Sequence, residues 1–231
     1  MTLLLPLILA VFYAVVSMRF SVWRTQKMLD AQSHPLRDPA LQALTARMAV
    51  ALDVPEIQVH VFDVDPVNGL AAPDGRIFLT RGFLQKYRQG VVSDTEMASV
   101  IAHELGHVSM GHMRRRMIDF TGHNAVFFLL TAFLARFLPI IGIWIANAVS
   151  TALMARLSRR DEFEADAYAS ALLIRSGIGT GPQKSLFRKL DALTRGGAAG
   201  IPAWMRSHPH TEERIRAIEA NEARWLRPQP G

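Results

Sequence analysis

Ser93-Asp94-Thr95-Glu96-Met97-Ala98-Ser99-Val100-Ile101-Ala102-His103-Glu104-Leu105-Gly106-His107-Val108 decides how the rest of this chain is read. A serine with glutamate three residues on, before an apolar-periodic run, is a capping box. The spacing therefore predicts a helix from Ser93 to about Met117. Inside it, His103 and His107 stand at i and i+4 on one face, so both imidazoles can reach a single ion. Glu104, one residue on from His103, can point at water bound to that ion and act as its base. Two histidines and a glutamate also occur on ordinary solvated helices. Here they lie amid Val100, Ile101, Leu105 and Val108, which argues against a solvated face.

A catalytic zinc site takes three protein ligands and keeps a position open for water, so a third ligand is needed. The spacing HExxHxxGxxH fails, because Met110 and Met113 hold the glycine and third-histidine positions and His112 is one residue out of phase. A glutamate about twenty residues on, the thermolysin-like spacing, fails as well: Val126 and Phe127 stand there. The next glutamate after Glu104 is Glu162, in Ser158-Arg159-Arg160-Asp161-Glu162-Phe163-Glu164-Ala165-Asp166. On a helix Glu162 and Asp166 share a face while Glu164 points elsewhere. One carboxylate can bind the metal while the other hydrogen-bonds a ligand imidazole and fixes its tautomer. The alternative is a solvated acidic face laced with Arg159 and Arg160.

Working outward, Asp38-Pro39 is an N-cap acid followed by proline at the first helical position, predicting a helix to about Leu52. Residues 57–62 alternate as a half-buried strand should, Asn68 to Ala72 is extended, Asp74-Gly75 is a turn and 76–80 is a further strand. A short helix is expected over 83–87 and further helices over about 158–174 and 182–194, the first of these two stopping at Gly177, Gly179 and Gly181, and a charged helix closes the chain. The fold class is α+β: mostly helical, with a small sheet beside the metal helix.

The 231 residues are half hydrophobic, with a mean hydropathy of +0.14. That excess sits in two places. Leu3 to Met18 has no positive leader and no A-x-A-like cleavage site, and Arg19, Arg24 and Lys27 follow it. It is expected to be an uncleaved membrane anchor over 1–20, ahead of a catalytic domain over 21–231. The second stretch, an insert over about 122–156, is expected to form an apolar helical hairpin. It falls between His107 and Glu162, so it crosses a bilayer an even number of times or not at all if both hold one ion. Two full spans need about 40 residues, and Arg136 and Pro139 lie where a hairpin would turn. The basic cluster after the anchor places the catalytic domain on the cytoplasmic side, most simply of a bacterial inner membrane. The net charge of +6 is read with the membrane lipid surface rather than nucleic acid, since no nucleic-acid motif accompanies it. There is no cysteine, which excludes disulfides, a thiol nucleophile and zinc–thiolate sites.

HELGH followed by S-R-x-x-E-x-x-A-D resembles the membrane gluzincin metallopeptidases that include heat-shock protease HtpX and the type I CAAX prenyl proteases, with this chain as a short member. The resemblance runs from about Leu36 to Ile218. It implies one Zn2+ per chain held by His103, His107 and Glu162, with Glu104 as base and Asp166 behind the ligands. Asn68-Gly69-Leu70-Ala71 resembles the family's edge strand, expected to receive substrate backbone, although Gly69 and Leu70 replace a small and an aromatic residue. Ser207-His208-Pro209 and Arg214-Ile215 resemble an S-H-P-x-x-x-x-R-I segment. His208 and Arg214, and more weakly Tyr168, are therefore candidates to stabilise a transition state or to occupy the open metal position. The alternatives are that His208 caps the last helix and Arg214 pairs with a surface acid.

The expected function is zinc-dependent endopeptidase action on unfolded, damaged or membrane polypeptides. The rival is a non-hydrolytic, chaperone-like binding protein that keeps zinc for structure. An intact Glu104 speaks against that rival, because a structural site has no use for a base and is normally closed by four ligands.

Overall fold

The computed structural model describes residues 4–72, 74–112, 127, 130, 131, 133, 134, 136–138, 141–195 and 211–225. The chain divides into two compact units, Met1–Ala31 with Gly111–Arg160, and Gln32–Met110 with Asp161–Gly231.

In the first unit, helix α1 covers Leu4–Ala31, and Phe12, Tyr13, Phe20 and Trp23 are exposed on it. Among the described residues no helix is long and apolar enough to cross a membrane. In the second apolar stretch, the chain turns at Arg136 and Phe137, whose amides bond Phe133 and Leu134 carbonyls at 3.3 and 3.0 Å. Gly142 follows so closely that a Cβ there would stand 2.9 Å from Leu134 Cβ. Residues 122–126, 128, 129, 132, 135, 139 and 140 of the insert lie outside the described residues.

The second unit holds a four-stranded sheet and most of the helices. Strands β1 (Ser33–Pro35), β2 (Val59–Phe62), β3 (Gly69–Ala71) and β4 (Ile77–Thr80) lie in the order β1-β2-β4-β3. β2 runs parallel to β4, whereas β3 pairs antiparallel with β4, Gly69 opposite Leu79 and Ala71 opposite Ile77. β1 was not anticipated: three residues ending in proline carry no alternation to detect.

Helix α2 (Pro39–Leu52) begins as expected, Asp38 accepting the Leu41 amide, and α3 is Arg81–Arg88. Helix α4 (Asp94–Ser109) carries the full capping box: Ser93 Oγ accepts from the Glu96 amide and Glu96 Oε2 from the Ser93 amide. It stops at Ser109 and not near Met117. The Met110 amide closes the last turn onto Gly106, and Gly111 then takes φ 65°, a left-handed conformation that ends a helix at no Cβ cost. Helix α5 runs from Gly142 to Arg175, sixteen residues earlier than the expected start at Ser158. Nothing between Gly142 and Arg156 breaks a helix, and Ser158 is simply an interior serine. Helices α6 (Gly181–Arg195) and α7 (Thr211–Trp225) follow it among the described residues.

The core of this unit gathers around α4. Met97, Val100, Ile101 and Ala102 pack with Leu41 and Met48 of α2, Ile77 and Leu79 of β4, Leu172 and Leu173 of α5, and Leu186 and Leu190 of α6. Each large side chain buried there stabilises the unit by about 1.5–3 kcal/mol. This makes α4 a rigid post on which polar residues can be held at fixed positions.

Candidate metal centre

One face of α4 is polar in spite of its burial. His103 and Glu104 are each 2% exposed and His107 7%, a state that charged or polar groups adopt only when partnered. Helix α5 supplies the partners. The two helices meet at Gly106 and Ala165 so closely that a Cβ on Gly106 would stand 2.8 Å from the Ala165 carbonyl oxygen. That contact brings Glu162 to the histidines.

The resulting cluster is compact. His103 Nε2 and His107 Nε2 are 3.1 Å apart. Glu162 Oε2 lies 3.4 Å from His103 Nε2, and Glu162 Oε1 lies 3.6 Å from His107 Nε2. Donor atoms about 2.0–2.1 Å from a tetrahedral zinc stand about 3.3 Å from one another, so the three are spaced as edges of such a coordination shell. Two imidazoles and a carboxylate are also the donor types that zinc takes.

Behind the donors lies a second layer of bonds. His103 Nδ1 is 2.9 Å from Asp166 Oδ1, leaving Nε2 directed at the cluster. Arg214, only 1% exposed, donates to both Asp166 oxygens. Its Nη1 is 3.5 Å from Glu162 Oε2, and its guanidinium stacks 4.4 Å from the centre of the Phe187 ring. Ser170 Oγ lies 2.8 Å from both the Asp166 carbonyl oxygen and Gln183 Oε1, and its single hydroxyl hydrogen can serve one of them at a time.

The electrostatics follow from these contacts. Burial opposes the charge on His103, yet the bonds to Asp166 and Glu162 outweigh it and raise the imidazole to about 9. Burial likewise opposes ionisation of Asp166, but the Arg214 guanidinium holds its carboxyl below the ordinary range. Burial works against the charge of Arg214 too, and Asp166 and Glu162 more than restore it.

The residues singled out from the sequence thus fall into four groups. His103, His107 and Glu162 come together, with Asp166 and Arg214 behind them. Tyr168 is turned to another partner, its hydroxyl accepting from Ser109 Oγ at 2.9 Å. His208 lies outside the described residues. Asn68 to Ala71 form β3 and its approach, and β3 packs on α4. Gln183, Ser170 and Phe187 had no sequence signal, since single polar or aromatic residues on amphipathic helices read as surface or core.

Crossed helices carrying HExxH and ExxxD beside a small sheet make up a metallopeptidase domain. The chain belongs to Peptidase family M48, whose pattern matches residues 35–222. Metalloprotease LoiP of Escherichia coli (strain K12) is 24% identical over 216 residues, which cover 85% of this chain and 82% of LoiP. A protease HtpX homolog of Gemmatimonas aurantiaca is 27% identical, covering 87% of this chain and 84% of the homolog. The mitochondrial metalloendopeptidase OMA1 of Homo sapiens is 22% identical over 72% of this chain, which spans 33% of OMA1.

Proposed function

We propose that this protein is a membrane-associated zinc metalloendopeptidase that hydrolyses peptide bonds in unfolded, damaged or membrane polypeptides. The observation that carries the reading is the spacing of three buried donor atoms, at 3.1, 3.4 and 3.6 Å, on a chain of Peptidase family M48.

His103, His107 and Glu162 would hold one zinc ion. When bound, the ion supplies Lewis acidity toward a carbonyl oxygen and lowers the pKa of a water toward neutrality. The work of the chain's own residues surrounds that chemistry. Glu104, on the same helix and buried, takes the proton of the attacking water and passes it to the leaving amine. Asp166 fixes the tautomer and orientation of His103, and Arg214 keeps Asp166 in place.

In this reading residues 1–20 anchor the chain, the apolar insert over about 122–156 lies in or on the bilayer, and 21–231 form the peptidase domain on the cytoplasmic side. The test is proteolysis of unfolded casein by the purified full chain. Cleavage that a zinc chelator abolishes and added Zn2+ restores is expected. Chelator-resistant cleavage, or no cleavage by protein containing one zinc per chain, would overturn the reading.

A further inference from the structure

Strand β3 is an edge of the described sheet, and its register settles which backbone groups face outward. The Thr80 amide bonds the Asn68 carbonyl at 3.0 Å and the Ala72 amide bonds the Arg76 carbonyl at 2.8 Å. Bonded and non-bonded pairs alternate along an antiparallel ladder, so Asn68, Leu70 and Ala72 turn their polar backbone groups to β4. Gly69 and Ala71 turn theirs to the open edge. Side chains at the same two positions are minimal, and β3 packs on α4. At Gly69 the fit leaves no room at all: a Cβ would stand 2.9 Å from Val100 Cγ1 and 3.4 Å from Glu104 Oε1. Val100 is 1% exposed and β-branched, so it cannot swing aside cheaply.

We propose that Gly69 is a positioning residue for hydrolysis, its missing side chain letting the substrate-bearing edge strand lie directly against the helix turn that carries Glu104. This rests on the metallopeptidase reading above. A polypeptide adding to β3 would exchange backbone hydrogen bonds at Gly69 and Ala71. Its carbonyls would then be placed relative to Glu104 by the distance between β3 and α4. A methyl at position 69 leaves the bonding groups of the edge intact but pushes strand and helix apart by a few tenths of an ångström. Binding therefore survives while alignment does not, and misplacement on the ångström scale costs up to about 10²-fold in rate.

The experiment compares the full-length wild type, Gly69→Ala and Gly69→Ala/Val100→Ala for zinc content, melting temperature, and kcat and KM on unfolded casein. Gly69→Ala is expected to keep one zinc per chain and a KM within about twofold, and to lose about tenfold or more in kcat. The double variant, in which the Val100 Cγ1 contact is gone, should recover most of that kcat. If Gly69→Ala fails to fold but the double variant folds and turns over, the same steric clash is confirmed. Wild-type kcat in Gly69→Ala, a loss that Val100→Ala does not relieve, a loss that tracks zinc content, or failure of both variants to fold would each overturn the role. A wild type that hydrolyses nothing sinks the functional reading and this role together. An active, chelator-sensitive wild type with an indifferent Gly69→Ala sinks only the role.

Discussion

Glu104 and Glu162 carry the same functional group and are equally buried, at 2% exposure each, yet the fold gives them different neighbours. Glu162 has its two oxygens 3.4 and 3.6 Å from the paired imidazole nitrogens, whereas Glu104 is turned by its helix phase toward Gly69 of β3. Their substitutions should separate accordingly. Glu104→Gln keeps the shape and is expected to retain one zinc per chain while losing at least about 10²-fold in cleavage, the scale of a lost general base. Glu162→Ala removes a donor and should lose the metal itself, with activity falling as a consequence. Metal analysis of the two purified variants beside a cleavage assay checks this, and zinc loss in Glu104→Gln would show that the roles are misassigned. At this scale the sequence was most informative where helical phase does the work: i, i+4 spacing pairs His103 with His107 and Glu162 with Asp166. It was silent on Gln183 and Phe187, whose roles depend on what α6 packs against. It was also silent on Gly106, whose reason is the Ala165 backbone of another helix, 2.8 Å from where a Cβ would stand.

Among the elements, α4 shows how a helix with buried polar groups is kept in place. Its capping glutamate does two jobs: Glu96 closes the box on Ser93 and also accepts from Lys189 Nζ at 2.8 Å and Ser185 Oγ at 2.7 Å, tying α4 to α6. Burial works against the charge of Glu96, but the bonds from Lys189, Ser185 and the Ser93 amide outweigh it and hold the carboxyl below its ordinary 4.5. A carboxyl depressed in the folded state contributes stability that is fully present above the unfolded value and is lost as pH falls through the folded one. The wild type should therefore lose melting temperature from about pH 4.5 downward partly on account of this residue. Glu96→Gln, already neutral, should start lower at pH 7 and decline less steeply in that acid range. Melting curves from pH 7 to 3 decide it, and parallel declines would remove Glu96 from the account. The capping box was visible in the sequence because its four residues signal one another locally. The end of α4 was not, because the helical pattern runs on past Met110 and only the left-handed Gly111 interrupts it. The start of α5 was missed for the opposite reason: an apolar stretch read as membrane insert gave no cue that it shares one helix with Glu162.

For the whole molecule, the order of the ligands along the chain constrains topology without any appeal to hydropathy. His103 and His107 precede the apolar insert and Glu162 follows it, yet their donor atoms lie within 4.8 Å of one another. A chain that crossed a bilayer once between them would leave the ligands on opposite faces, so the number of crossings between Val108 and Asp161 is even, zero included. The absence of cysteine makes this testable with single thiols. Arg88→Cys on α3 and Arg216→Cys on α7 are exposed positions on either side of the insert. In intact cells treated with a membrane-impermeant thiol reagent, both should behave alike, and both should be protected if Arg19, Arg24 and Lys27 hold the following domain on the cytoplasmic side. Both should label once the cells are permeabilised. Labelling of both in intact cells would move the site to the outer face and leave the parity untouched. One labelled and one protected would place a membrane between His107 and Glu162, and no single ion could then be shared by them.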